Sequence, residues 1–241
     1  GVYSKSDGKI FLEGKEVDFS DPGKARDAGV SIIHQEFNQF SNLSVAENIF
    51  LDRREYRNGI GIVNWKKMEE DAAKVLGELG ASFDVKMPER LLSVREQQLV
   101  EIAKATSSNC KILIMDEPTA ALPENEVDKL FDVIRALKEK GVAIIYISHR
   151  MKEIEQICDR VTVLRDGKRV STVVMKESRI DDVISQMIGK SLTNYYTHTR
   201  REKGEAILQV QGLSGNGVHG VSFELHKGEI LGLYGLAGSG T

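Results

Sequence analysis

The segment from Lys111 to Ala120 reads Lys-Ile-Leu-Ile-Met-Asp-Glu-Pro-Thr-Ala. Four apolar residues run straight into two adjacent carboxylates, Asp116 and Glu117. A short apolar run that ends in a polar turn reads as a buried strand of a parallel sheet. Parallel strands need crossover connections, usually helices, so this segment commits the chain to an α/β fold. Carboxylates at the carboxyl end of such a strand stand at the crevice where open α/β sheets bind ligands. One of them can hold Mg²⁺ through water, and its neighbour can orient or deprotonate an attacking water. That chemistry belongs to nucleoside triphosphate hydrolysis. The glycine-rich phosphate loop that such a strand would serve is not found upstream of it.

The remaining strand and helix signals fit that frame. Residues 9–12, 30–33 and 142–147 read as strands, the last as a second buried one. Residues 42–50, 65–79 and 92–105 read as helices. In the second of these Trp65, Met68, Ala72, Val75, Leu76 and Leu79 recur at helical spacing, and in the third Leu99, Val100, Ile102 and Ala103 form the core face. Residues 123–138 form an amphipathic helix with an apolar stripe of Val127, Leu130, Phe131, Ile134 and Leu137, and Pro123 suits its first turn. Helices follow at 151–157 and 180–188. Asp166-Gly167 between two β-rich runs predicts a hairpin.

The polar, aperiodic stretch 189–205 reads as a linker. Beyond it, 207–210, 221–225 and 229–234 read as strands that lead into Gly235-Leu-Ala-Gly238-Ser-Gly240-Thr241. Gly235 and Gly240 have the spacing of a phosphate loop, Gly-x-x-x-x-Gly, but Thr241 stands where its lysine belongs. The expectation is therefore a first α/β domain over 1–188, with a helical subdomain at about 41–106, and the opening strands of a second domain over 206–241. The first domain lacks the kind of opening that the tail supplies. The phosphate cradle of the first domain is expected upstream of Gly1. The linker is also long enough for 206–240 to fold back onto the first domain as a circular permutant would.

Composition narrows the function classes. Of 241 residues, 41% are hydrophobic and 29% charged, enough for a sizeable core on a soluble surface. A net charge of −3 gives no general attraction to nucleic acid or anionic lipid. No apolar run is long enough to span a bilayer, and no signal peptide is visible, so membrane association is expected to run through protein partners, without direct insertion. Cys110 and Cys158 lack metal-ligand spacing and read as small core residues, which suits a reducing compartment.

Three further features carry chemistry. His149 follows the strand one βαβ unit after the carboxylates, which places it on the same sheet edge, where an imidazole can bond a γ-phosphate; a capping or core histidine is the plainer alternative. Gln35 ends the strand 30–33, and its amide can reach Mg²⁺ or the attacking water. Ser93-Val94-Arg95-Glu96 is a capping box, and Ser93 with the free amides up to Gln97 can also receive phosphate from a facing domain. Those two readings of the helix start are compatible.

With these residues in hand, the chain resembles the ATP-binding cassette (ABC) family. More closely, it is similar to the tandem-domain ATPases of bacterial monosaccharide importers of the ribose and galactose type. The resemblance rests on Ile32-Ile-His-Gln35-Glu-Phe-Asn, Leu43-Ser-Val-Ala-Glu-Asn-Ile-Phe-Leu51, Leu92-Ser-Val-Arg-Glu-Gln-Gln-Leu-Val-Glu-Ile-Ala-Lys104, Met115-Asp-Glu-Pro-Thr-Ala-Ala-Leu122 and Tyr146-Ile-Ser-His149-Arg. It implies a P-loop NTPase fold without its first P-loop, with ATP and Mg²⁺ as cofactors. It also implies roles. Asp116 is the Walker B aspartate and a Mg²⁺ ligand through water; Gln35 is the Q-loop residue that senses Mg²⁺ and the permease. Glu117 is the general base, His149 the switch histidine, and Ser93 to Gln97 the signature that closes over ATP held by the opposite domain. Gly235, Gly238 and Gly240 belong to the second P-loop.

The chain departs from the family pattern at Arg95, where glycine is usual, at Glu96, where glutamine is, at Thr241, where lysine is, and at Pro123, where aspartate is common. In tandem cassettes one domain's P-loop faces the other's signature. Glu117, His149 and Gln35 then share one site, and the signature and Gly235 loop share the other. The departures at Arg95, Glu96 and Thr241 fall in the second, so the resemblance implies one hydrolytic and one mainly binding site. The implied partners are transmembrane permease subunits and, indirectly, a periplasmic or extracellular sugar-binding protein. The implied location is the cytoplasmic face of the cell membrane, as a peripheral subunit. Two alternatives stand beside this reading: an inert fragment that cannot hold ATP tightly, and a cassette ATPase of DNA repair or translation.

Overall fold

The computed structural model describes residues 2–3, 5–35, 39–51, 53–57, 61–189, 204–215 and 218–233. The chain divides into two compact units, Gly1–Lys190 and Ser191–Thr241.

The first unit opens with a hairpin, β1 (Ile10–Leu12) against β2 (Lys15–Val17). Its two turn residues, Glu13 and Gly14, both have positive φ (50° and 79°), the requirement of a type I′ turn. The partner strand is too short and too polar to show in the sequence. Helix α1 (Pro22–Asp27) was also not anticipated. Its signals are nevertheless present: Pro22 stands in its first turn, and the Asp21 side chain accepts the Lys24 N–H at 2.9 Å as N-cap.

Three parallel strands form the central sheet in the order β3 (Val30–Ile33), β4 (Ile112–Asp116), β5 (Ala143–Ile147). Their register aligns Ile33 with Met115, Met115 with Tyr146, and Asp116 with Ile147. The sheet has two unlike faces. Ile33, Leu113 and Met115 are fully buried on one. Ile32, Ile145 and Ile147, on the other, are 46%, 51% and 46% exposed. The strand at 142–147, expected to be buried on both faces, is therefore half-buried. Its residues alternate because the described helices cover only one side of the sheet.

That covered side carries the main core. Helices α2 (Val45–Phe50), α3 (Trp65–Glu78) and α4 (Val94–Thr106) pack on one another through Val45, Ile49, Met68, Ala72, Leu76, Leu99 and Val100. Trp65, expected on the core face of α3, is half-exposed because it sits at the first turn, ahead of the packed stripe. Helix α5 (Glu124–Glu139) buries its predicted stripe of Val127, Leu130, Phe131, Ile134 and Leu137. Pro123 is its N-cap, not part of its first turn, and contributes no side-chain cap bond. Each fully buried large aliphatic of this kind is worth roughly 1.5–3 kcal/mol relative to exposure.

A smaller core of Ile154, Val163, Met175 and Val183 joins α6 (Met151–Ile157), the hairpin β6 (Arg160–Arg165) and β7 (Lys168–Val174), and α7 (Ile180–Ile188). Asp166 and Gly167 turn that hairpin with φ of 51° and 71°, as the Asp-Gly pair predicts. Both cysteines are free and half-buried. Burial raises the Cys110 thiol and pushes Cys158 up to about 11, so both are protonated, unreactive packing groups at neutral pH.

The second unit is an antiparallel pair, β8 (Ala206–Gly215) and β9 (Val218–His226), forming its own two-stranded sheet. Both strands extend beyond their expected limits. The third expected strand, 229–234, does not form over 229–233. Its last residue and Gly235, Gly238, Gly240 and Thr241 lie outside the described residues, as does most of the expected linker.

Candidate active site

Parallel register brings the carboxyl ends of β3, β4 and β5 to one edge, and three of the singled-out side chains meet there. Glu117 is at the centre. Its Oε1 lies 3.0 Å from His149 Nδ1, and its Oε2 accepts from Gln35 Nε2 at 3.3 Å. The partners are 32 and 82 residues away in sequence. The Glu117 side chain is 28% exposed and His149 70% exposed, so the carboxylate is sheltered and the imidazole opens outward. When Glu117 is ionised it can only accept, so the contact makes Nδ1 the donor and leaves Nε2 free for a ligand.

Backbone geometry fixes where Glu117 points. Its φ is 46°, in the left-handed region, which is costly for a residue with a side chain. The strain is held by an N–H bond from Glu117 to the Ile147 carbonyl at 2.9 Å and by a turn in which Ala120 N–H donates to the Glu117 carbonyl at 3.0 Å. Glu117 thus leaves the strand line at the point where β4 and β5 stop pairing. Asp116 remains in β4, opposite Ile147.

The start of α4 is built differently. Ser93 N–H and Oγ–H both donate to Glu96 Oε2, at 2.8 and 2.7 Å, and Glu96 N–H returns a bond to Ser93 Oγ at 3.4 Å. This is a complete capping box on an exposed serine. Gln97 carries a longer tie: its carbonyl accepts from Gln39 Nε2 at 2.7 Å, which links α4 to the segment that follows Gln35. Ser93 and Gln97 share no hydrogen-bond partner with Glu117 among the described residues.

The ABC transporter family profile matches residues 1–120. Ribose import ATP-binding proteins of Lacticaseibacillus paracasei and Clostridium tetani are each 46% identical over all 241 residues, which cover 48% of each relative. That of Geobacillus kaustophilus is 45% identical, with 49% of it covered. The chain belongs to the ABC transporter family of ATP-binding cassettes. The cassette fold is shared with solved structures: an ABC transporter cassette in its ADP conformation (TM-score 0.65, 24% identity, 78% of this chain and 79% of that one) and a nucleotide-free cassette (TM-score 0.62, 23% identity, 78% and 76%). The sequence spans about half the length of the curated ABC relatives it matches.

Within this cassette, the donor set at the sheet edge suits a hard cation only in part. Among the described residues no three His, Cys, Asp or Glu side chains converge as metal ligands. Asp116 and Gln35 offer oxygens of the kind Mg²⁺ takes, and Mg²⁺ is commonly held by one or two protein groups with water and substrate phosphate completing its shell. The residues fit such a partial site. No helix among the described residues is long and apolar enough to cross a membrane.

Two contributors escaped the sequence reading. The Ile147 carbonyl that anchors Glu117 is a backbone group, invisible in residue identity. Glu153, in α6, is only 5% exposed and lies beneath the same edge. Its sole sequence signal was a charged residue in the first turn of a short helix, a place where carboxylates are ordinary.

Proposed function

We propose that the full-length protein is the ATP-hydrolysing subunit of an importer for a monosaccharide. It is peripheral at the cytoplasmic face of the cell membrane and acts through transmembrane permease subunits supplied by a sugar-binding protein. The observation that carries the hydrolytic part is the placement of Glu117 between His149 and Gln35 at the carboxyl edge of the sheet. The importer part is supported by relatedness to ribose import ATP-binding proteins along the whole chain.

In this reading Glu117 accepts a proton from the water that attacks the γ-phosphate. The Gln35 and His149 contacts hold its two oxygens in place, so the carboxylate is oriented before ATP arrives. His149, when its ring carries both protons, donates Nε2–H to the γ-phosphate, and Gln35 shares its amide between Glu117 and the ion site. Mg²⁺, when bound through Asp116 and Gln35, neutralises charge on the phosphates. Ser93 and the first-turn amides of α4 serve a second nucleotide presented by a facing P-loop, and the glycines at 235, 238 and 240 form part of a phosphate cradle. ATP-driven closure of the paired domains then switches the permease between its states.

The test is reconstitution of the full-length protein with its permease in lipid vesicles. Labelled ribose and related monosaccharides should accumulate only with ATP, in step with phosphate release. Hydrolysis that no sugar and no permease stimulates would contradict the importer reading.

A further inference from the structure

Glu153 presents a buried carboxylate with four hydrogen-bond donors. Thr119 Oγ1 donates to Oε1 at 2.8 Å, and Arg150 Nη1 donates to the same oxygen at 3.3 Å. Tyr146 OH and Ser148 Oγ each donate to Oε2 at 2.9 Å. A carboxylate offers about four acceptor positions, so this one is saturated. Burial, with the Glu153 bond second, drives the Tyr146 phenol far above its usual range, so Tyr146 remains a donor.

The origin of the donors gives the cluster its meaning. Thr119 lies two residues beyond Glu117, on the loop that leaves β4. Ser148 and Arg150 flank His149 on the loop that leaves β5, and Arg150 N–H also donates to Ser148 Oγ at 3.0 Å. Tyr146 belongs to β5 itself, where it pairs with Met115. One buried group therefore ties together the two loops whose side chains meet at the Glu117–His149 contact. Its donor Thr119 lies inside the turn that the strained Glu117 backbone opens.

We propose that Glu153 is a positioning residue for the Glu117–His149 pair, holding both loops so that carboxylate and imidazole stay at hydrogen-bond distance. This inference rests on the hydrolytic reading of Glu117 and His149. A carboxylate that merely stabilised the fold would show in stability alone. The two roles separate because Thr119 and Ser148 sit on the loops that carry Glu117 and His149, whereas Tyr146 sits on β5 itself. Glu153→Gln removes the charge beside Arg150 and turns one oxygen into an N–H₂ donor. With the amide oxygen kept toward Arg150 and Thr119, the Tyr146 and Ser148 hydroxyls must give up donating and turn to accept. Thr119→Val and Ser148→Ala each cut one loop tie with little change in volume.

The experiment measures steady-state ATP hydrolysis and thermal midpoints of the full-length protein and its Glu153→Gln, Thr119→Val, Ser148→Ala, Tyr146→Phe and Glu117→Gln variants. The first three should lower kcat about tenfold or more, the scale of a small misplacement of a reacting group, with KM for ATP within about twofold. Tyr146→Phe should lower the thermal midpoint as much as Thr119→Val while kcat stays within about twofold. Loop variants that keep wild-type kcat, or a kcat that tracks the thermal midpoint across all four, would overturn the positioning role. If Glu117→Gln hydrolyses ATP like wild type, the reading of Glu117 falls, and this inference falls with it.

Discussion

The carboxyl edge of the sheet and the first turn of α4 both hold residues singled out by their chemistry, but they are made in opposite ways. Glu117 is held by partners 32 and 82 residues away and by a bond to a neighbouring strand, with its backbone in a strained region. Ser93 is held by Glu96, three residues on, in a geometry that α2 repeats almost bond for bond. There Ser44 Oγ donates to Glu47 Oε2 at 2.6 Å and accepts the Glu47 N–H at 3.3 Å. The edge site exists only when the fold exists. The helix start exists wherever Ser-x-x-Glu begins a helix, and its cap bonds cannot distinguish function from structure. What separates Ser93 from Ser44 is surroundings. Ser93 is exposed, whereas Ser44 opens a helix whose first residues, Val45 and Ala46, are buried.

Substitutions at the two places should therefore fail differently. Between the edge histidine and the caps, the larger effect is expected from His149→Ala in the full-length protein. Loss of a group aimed at the reacting phosphate should lower ATP turnover by roughly 10²-fold or more. The thermal midpoint should hardly move, because the imidazole is mostly exposed. Stopped-flow phosphate release beside calorimetry checks both; a large stability loss with turnover retained would make the contact structural. A smaller effect is expected at the caps. Ser93→Ala and Ser44→Ala should each cost about 1 kcal/mol in denaturant unfolding. Only Ser93→Ala should also reduce ATP turnover. Equal effects of the two on turnover would leave Ser93 as a cap and nothing more.

The same division explains what could be read from the residues. The α/β class followed from the apolar run into Asp116, and parallel pairing of β3, β4 and β5 bears it out. The α5 stripe was legible because five apolar residues at helical spacing have one way to be buried together. The exposed face of β5 was not, since Ile145 and Ile147 look the same in sequence whether a layer covers them or not. Strand β2 left no pattern in three largely polar residues. At the site, His149 could be assigned to the edge of Glu117 from its place one βαβ unit on, whereas Gln35 joined them only through the family resemblance. Their distances depend on the Ile147 carbonyl, on the positive φ of Glu117 and on the buried Glu153, none of which residue type reveals. Glu153 escaped because its donors come from a strand and two loops, one of them Thr119 at 34 residues' separation, and match no recognised local motif.

The central claim is that hydrolysis rests on the carboxylate of Glu117. Its most direct test compares wild type and Glu117→Gln of the full-length protein for ATP binding by equilibrium titration and for phosphate release. The amide keeps the shape and loses the base. Phosphate release should fall by about 10²-fold or more, while ATP affinity remains within a few-fold of wild type. Turnover that survives the substitution would contradict the account, because a second catalytic site or a different base would then carry the reaction.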